Sequence, residues 1–288
     1  MIKYLLYIWG DIMASFVIHY IASEEFLKIL SKTRKLTEKE KNNFRLGNLI
    51  VDSLDFEEMI SENLTKEEII KINKEYRKKK IEKKLSTHFR DKDGLNLCVN
   101  LPNLDKFMNK YRALVLKDFS ALGYLFHLYT DKIFFKNLYE NVISCLDKNR
   151  NLTNILKDNV YVKVKKDNKI YSVDDFWNSK NKCIYDDYTK MNRYLCERYN
   201  ITFSKNNLQE FANKYFINPG IEEVDYNSIS EVLEKTEKYI NESKNLDDND
   251  LKVFKEEDIL SFIPLVVGSF YENYYEEINY LLKNNLLN

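Results

Sequence analysis

The chain contains three histidines in 288 residues, and each sits in a setting that can hold a metal ion. His127 lies four residues before Asp131 in the string Gly123-Tyr-Leu-Phe-His127-Leu-Tyr-Thr-Asp131. His88 lies in Ser86-Thr-His88-Phe89, and His19 in Ala14-Ser-Phe-Val-Ile-His19-Tyr20. Between them, Asp52 closes the run Gly47-Asn48-Leu-Ile-Val-Asp52. Imidazole nitrogen and carboxylate oxygen are the usual ligands of catalytic zinc. Mixed histidine and carboxylate sites also accept manganese or iron.

Each motif has an ordinary explanation when read alone. On a helix, residues four apart stack on one face, so His127 and Asp131 can share an ion. They can equally be a buried histidine and an aspartate satisfied by hydrogen bonds. Gly123 lies one turn earlier, and its missing side chain predicts room for a metal or substrate above the helix. His88 by itself reads as a surface or capping residue. His19, on an apolar helix face, reads as a core histidine. Asp52 follows an apolar triplet, which aims its carboxylate inward, where it needs a cation or strong donors. Together the four stretches favour one metal centre.

The elements that must position these side chains read as helical. Apolar residues recur at helical spacing over residues 14–31. Thr37-x-x-Glu40 and Thr65-x-x-Glu68 are capping boxes for two further helices, the second running to about residue 84. The lysine-rich stretch from Lys71 to Lys84 reads as a solvated face. Asp91-Lys-Asp-Gly94 reads as a turn, and Pro102-Asn103 as a helix start. A long helix, apolar on nearly all faces, is expected from about Leu114 to Asn141. Residues 159–173 alternate apolar and polar around Asp167-Asn168, which predicts a β-hairpin. Helices are expected again at 186–199, 205–215, 228–243 and 256–283, with Pro264 kinking or starting the last. The expected fold class is all-α with this one small hairpin. A single domain is expected, with a metal-binding core over about 13–140 and a helical half over 174–288 packed on it.

Composition narrows the function. Lys and Arg number 45, as do Asp and Glu, so no net positive charge draws the chain to nucleic acid or anionic lipid. Charges cluster only locally, as in the acidic run Asp247-Asp-Asn-Asp250. Six glycines and three prolines suit long helices with few tight turns. The four cysteines, Cys98, Cys145, Cys183 and Cys196, form no Cys-x-x-Cys pair, which suggests a reducing compartment. No apolar run reaches the length of a membrane span. The first residues make a poor secretion signal, so a cytoplasmic location is expected, and Met13 offers an alternative start.

Met13-Ala-Ser…His19, Gly47-Asn48…Asp52, Thr87-His88-Phe89 and Gly123-Tyr124…His127-Leu-Tyr-Thr-Asp131 resemble, in order and spacing, the bacterial zinc-dependent phospholipase C family. The likeness covers roughly residues 13–140. That family is all-helical, hydrolyses phosphodiesters with a zinc cluster, and is related to fungal single-strand nucleases. The resemblance implies that Asp52, His88, His127 and Asp131 hold one zinc ion. His19 and Asp131 would hold a second, with Asp131 bridging, and Asp52 would be the base for an attacking water. The chain has no histidine after His127, so the family's third metal site is absent or built from carboxylates. Arg45, Arg90, Tyr20 and Tyr124 are candidate phosphate neighbours. Asp186 and Asp187 read as helix caps or as further ligands. The expected activity is hydrolysis of a phosphoester, with a phospholipid headgroup among the candidates. A nuclease-type phosphodiesterase and a non-catalytic, metal-stabilised binding protein are the alternatives.

Overall fold

The first described helix, α1 (Phe16–Thr33), starts where the Ser15 hydroxyl accepts a hydrogen bond from the Ile18 amide. A computed structural model describes residues 15–53, 66–177, 183–243 and 250–284. The expectations placed on residues 1–14, on Thr65 as a cap and on residues 247–249 lie outside that set. Helix α2 (Glu38–Leu49) opens with the expected capping box. The Glu40 amide donates to Thr37 Oγ1, and the Glu40 carboxylate accepts from the Thr37 amide. Helix α3 (Lys66–Thr87) and helix α4 (Leu104–Val115) follow, the latter capped by Asn103. On α3, Lys78 and Lys79 are exposed as a solvated face requires, whereas Lys84 is buried. The expected turn at Asp91 leads into one short 3-10 segment, Lys92–Asn96.

The boundary between the two helices expected here lies later than the sequence suggests. Helix α4 runs on to Val115, and α5 (Phe119–Asn137) begins afresh. The cause is Asp118, whose extended backbone and carboxylate cap the amides of Ser120 and Ala121. Fifteen residues of α5 are buried, so the expectation of a central helix holds. A π-helical turn, Leu138–Val142, then passes the chain to a small antiparallel sheet. The hairpin is present as β2 (Tyr161–Val164) and β3 (Ile170–Ser172), with Asn168 in the left-handed region at φ 59°. A third strand, β1 (Ile143–Leu146), pairs with β2 in the register Ile143 to Val164. Its four residues, Ile-Ser-Cys-Leu, are too few for alternation to mark a strand.

Four helices of the C-terminal half are α6 (Val173–Trp177), α7 (Ile184–Arg198), α8 (Lys205–Tyr215) and α9 (Ile229–Ser243). The expected last helix is two, α10 (Glu256–Asn273) and α11 (Tyr275–Asn284). Pro264 lies inside α10, and the break comes later, at Tyr274. Tyr271 and Tyr274 pack against the core, while Tyr275 and Tyr280 are exposed. The described residues are thus mainly helical with one three-stranded sheet, and one hydrophobic cluster runs from Val17 to Leu282. No helix among them is long and apolar enough to cross a membrane.

The contact that matters most for the site is α2 against α5, across which Phe44 and Phe126 meet near Phe26 of α1. Two glycines permit it. A Cβ on Gly47 would lie 2.1 Å from the Ser120 carbonyl oxygen, and one on Gly123 would lie 2.2 Å from that of Phe44. Gly123 therefore makes room for a neighbouring helix. The expectation that it clears space for a metal or substrate is corrected.

A backbone clash cannot be relieved by a rotamer change. Gly123→Ala is expected to destabilise the fold by about 1–3 kcal/mol or more, because α2 and α5 must separate. Urea unfolding measures this, and an unchanged midpoint would contradict the close packing.

Candidate metal centre

Four chain segments converge on one buried point. His19 sits one turn inside α1. After α2 the backbone tightens into a single 3-10 turn, Ile50–Asp52, which carries Asp52 inward. His88 follows the end of α3, and its amide still donates to the Lys84 carbonyl. His127 and Asp131 lie one turn apart on α5. All five side chains are buried, none more than 3% exposed. The five residues singled out from sequence are thus brought together.

The distances define two overlapping groups. In the first, His88 Nε2 lies 3.3 Å from Asp52 Oδ1 and 3.4 Å from His127 Nε2, which lies 3.9 Å from Asp52 Oδ1. Those three separations place the donors on a circle of radius ~2.1 Å, and metal–ligand bonds to nitrogen and oxygen are ~2.0–2.2 Å. In the second, His19 Nε2 lies 3.4 Å from Asp131 Oδ1, with the His127 ring stacked on that of His19 at 3.8 Å. Asp131 Oδ2 turns towards the first group, 3.5 Å from His88 Nε2. Both groups, Asp52–His88–His127 and His19–His127–Asp131, can hold a metal ion.

Protonation suits that role. Burial lowers the pKa of His127 to about 3 and that of His88 below its ordinary 6.5, so both imidazoles stay neutral at pH 7. Burial pushes the Asp52 and Asp131 carboxyls up, but the facing imidazoles outweigh it and leave both below the usual range. Neutral imidazole and ionised carboxylate are the forms that bind metal. Asp52 Oδ1 and both ring nitrogens of His19 lack a hydrogen-bond partner among the described residues. Buried polar atoms are rarely left so.

The supporting shell fixes which nitrogens point inward. His127 Nδ1 lies 2.8 Å from the Asn48 carbonyl oxygen, which can only accept, so Nδ1 carries the hydrogen. The lone pair of neutral His127 is therefore on Nε2, inside the cluster. The Asn48 side chain donates to the His19 carbonyl at 2.8 Å and contacts Ser23 Oγ, so one residue ties α1 to α5. His88 Nδ1 lies 2.8 Å from Thr87 Oγ1, and the Tyr124 hydroxyl donates to the Thr87 carbonyl. Phe89 takes a left-handed backbone at φ 52°, a conformation costing about 1–2 kcal/mol outside glycine. Its ring packs against Phe107, Tyr111 and Tyr124. This turn lets both His88 and Arg90 reach the cluster, and Arg90 Nη2 lies 3.5 Å from Asp131 Oδ2.

The other candidates separate. Arg90 is at the centre, and Tyr124 supports it through Thr87. Arg45 pairs with Glu24, and the Tyr20 hydroxyl donates to the Thr202 carbonyl. Asp187 accepts the amides of Lys252, Val253 and Phe254, and Asp186 pairs with Lys190 and Lys252, so neither joins the metal donors. Sequence reasoning gave no role to Asn48 or Thr87. Their only signal was adjacency, since each lies beside a motif residue, and the atoms used include main-chain carbonyls that sequence does not mark. No family model matches the chain, and neither a curated protein nor a solved structure matches it.

The lowered histidine pKa values set a pH dependence. Below about pH 6.5 the unfolded chain takes up protons on His88 and His127 that the folded, metal-free chain does not. Stability is then lost as pH falls from about 6.5 towards 3, and protonation of Asp52 and Asp131 in the unfolded chain adds to the loss below about 4. In chelator, the thermal midpoint should drop between pH 7 and 4, with a shallower drop for His127→Asn. Added zinc or manganese should raise it, by up to ~4 kcal/mol of stability at a thousandfold excess over Kd. A midpoint indifferent to metal and chelator would contradict a metal centre.

Proposed function

We propose that this chain is a metal-dependent phosphoester hydrolase, phospholipase C-like in its donor set, with zinc as the ion. The observation that carries this reading is the triangle of Asp52 Oδ1, His88 Nε2 and His127 Nε2, which closes on a radius suited to zinc without a thiolate. Structural zinc sites are typically rich in cysteine, whereas catalytic ones use three histidine or carboxylate ligands and keep a position open. None of the cysteines Cys98, Cys145, Cys183 and Cys196 belongs to the donor groups. The spacing resemblance to the zinc phospholipases C supplies the reaction class.

The ion, when bound, would supply Lewis-acid polarisation of the phosphoryl oxygen and a water acidified towards pKa ~7. Asp52, ionised and buried beside the imidazoles, orients the attacking water and accepts its proton. Asp131 holds the cluster together from α5, with His19 on one carboxylate oxygen and His88 on the other. Arg90 brings a fixed positive charge that favours an anionic substrate. Zero net charge on the chain points away from long polyanions and towards a small soluble phosphoester or a lipid headgroup. A cytoplasmic location belongs to the same proposal.

One observation favours a second reading. Every donor is at most 3% exposed, which also suits an ion that stabilises a binding protein without turning over substrate. A screen separates the two: p-nitrophenyl phosphate, bis-p-nitrophenyl phosphate, phosphatidylcholine micelles and single-stranded DNA, each with added zinc or manganese. Hydrolysis of a small ester or the phosphatidylcholine, reduced ~10²–10⁴-fold in Asp52→Asn, supports the enzyme. Metal binding with no turnover on any substrate supports the structural ion instead.

A further inference from the structure

The two donor groups cannot both be complete. They share His127, whose Nδ1 hydrogen is committed to the Asn48 carbonyl, so only Nε2 remains to bind an ion. A ring nitrogen has one lone pair and serves one metal. The triangle with Asp52 and His88 claims that atom at 3.4 and 3.9 Å. His19 and Asp131 then remain as a pair of donors, and they already face each other at 3.4 Å.

Charge gives the same count. The cluster gathers two carboxylates, Asp52 and Asp131, and one guanidinium, Arg90, so its formal charge without an ion is minus one. One divalent ion brings the cluster to a net charge of plus one, and two bring it to plus three. Burial without counter-charge is strongly unfavourable, and Arg90 is itself only 4% exposed. Its guanidinium is held on two sides, 3.5 Å from Asp131 Oδ2 and 5.0 Å over the Phe135 ring. Arginine does not give up its proton under ordinary conditions, so this cation is permanent.

We propose that the centre is built for one divalent ion, held by Asp52, His88 and His127 with Asp131 alongside, and that Arg90 is the fixed second cation. In this arrangement His19 is a positioning residue that steadies Asp131. This count rests on the metal reading above but is separable from it.

The test uses the full chain, stripped with chelator and titrated with zinc or manganese, with bound metal counted by native mass spectrometry and elemental analysis. The wild type should saturate at one ion per chain. His19→Ala should keep that ion with a Kd within about threefold of wild type, and His127→Ala should lose it. Arg90→Gln, which removes the built-in charge, should bind the first ion at least tenfold tighter or admit a second. Arg90→Lys keeps the charge and should stay at one ion. Two ions in the wild type, or loss of the single ion in His19→Ala, would overturn the proposal and leave a metal centre intact. No ion at all would overturn the metal reading with it. If Arg90→Gln does not fold, the wild-type count and the His19→Ala and Arg90→Lys arms still decide.

Discussion

Two carboxylates buried among neutral imidazoles are the constraint on which this structure turns. Asp52 and Asp131 are almost wholly removed from water, and burial alone would drive each towards its neutral form. They stay ionised because donors and positive charge are gathered around them from four separate segments. A lone buried carboxylate costs several kcal/mol unless it is paired and hydrogen-bonded. The arrangement of α1, α2, α3 and α5 can be read as the means of meeting that cost at one point.

Helix packing delivers the geometry. Gly47 and Gly123 let α2 and α5 approach until a single added methyl group would strike backbone. That closeness brings the Asn48 carbonyl within 2.8 Å of His127 Nδ1 and so settles which nitrogen faces the centre. It also sets Asp52, at the end of α2, against His127. On the other side, the left-handed turn at Phe89 lets His88 and Arg90 enter together, anchored by an aromatic cluster. Rigid elements, with hydrogen bonds behind the inward-facing groups, are what a metal centre requires.

Much of the helical frame was legible because capping and periodicity are local. Thr37 and Asn103 start helices through their own side chains, and Lys205–Tyr215 lies where its pattern placed it. Breaks were harder to read. Asp118 restarts a helix inside an apolar stretch, and α10 ends at Tyr274 while passing through Pro264. Strand β1 spans only four residues, Ile-Ser-Cys-Leu, too few for alternation to mark it. At Gly123 the sequence shows a missing side chain but not that helix α2 fills the space.

The sequence by itself determined the donor inventory: three histidines, two aspartates at helical or inward-facing positions, and no cysteine spacing to compete. It also determined the all-α character, because helical period and caps depend on neighbours within a few residues. Only the tertiary structure decided that the five donors meet, that Arg90 joins them, and that Arg45, Asp186 and Asp187 do not. It alone decided that His127 faces inward through Nε2. The reason is physical: these outcomes depend on contacts between segments up to 112 positions apart, such as His19 with Asp131, and on main-chain carbonyls that every residue carries alike.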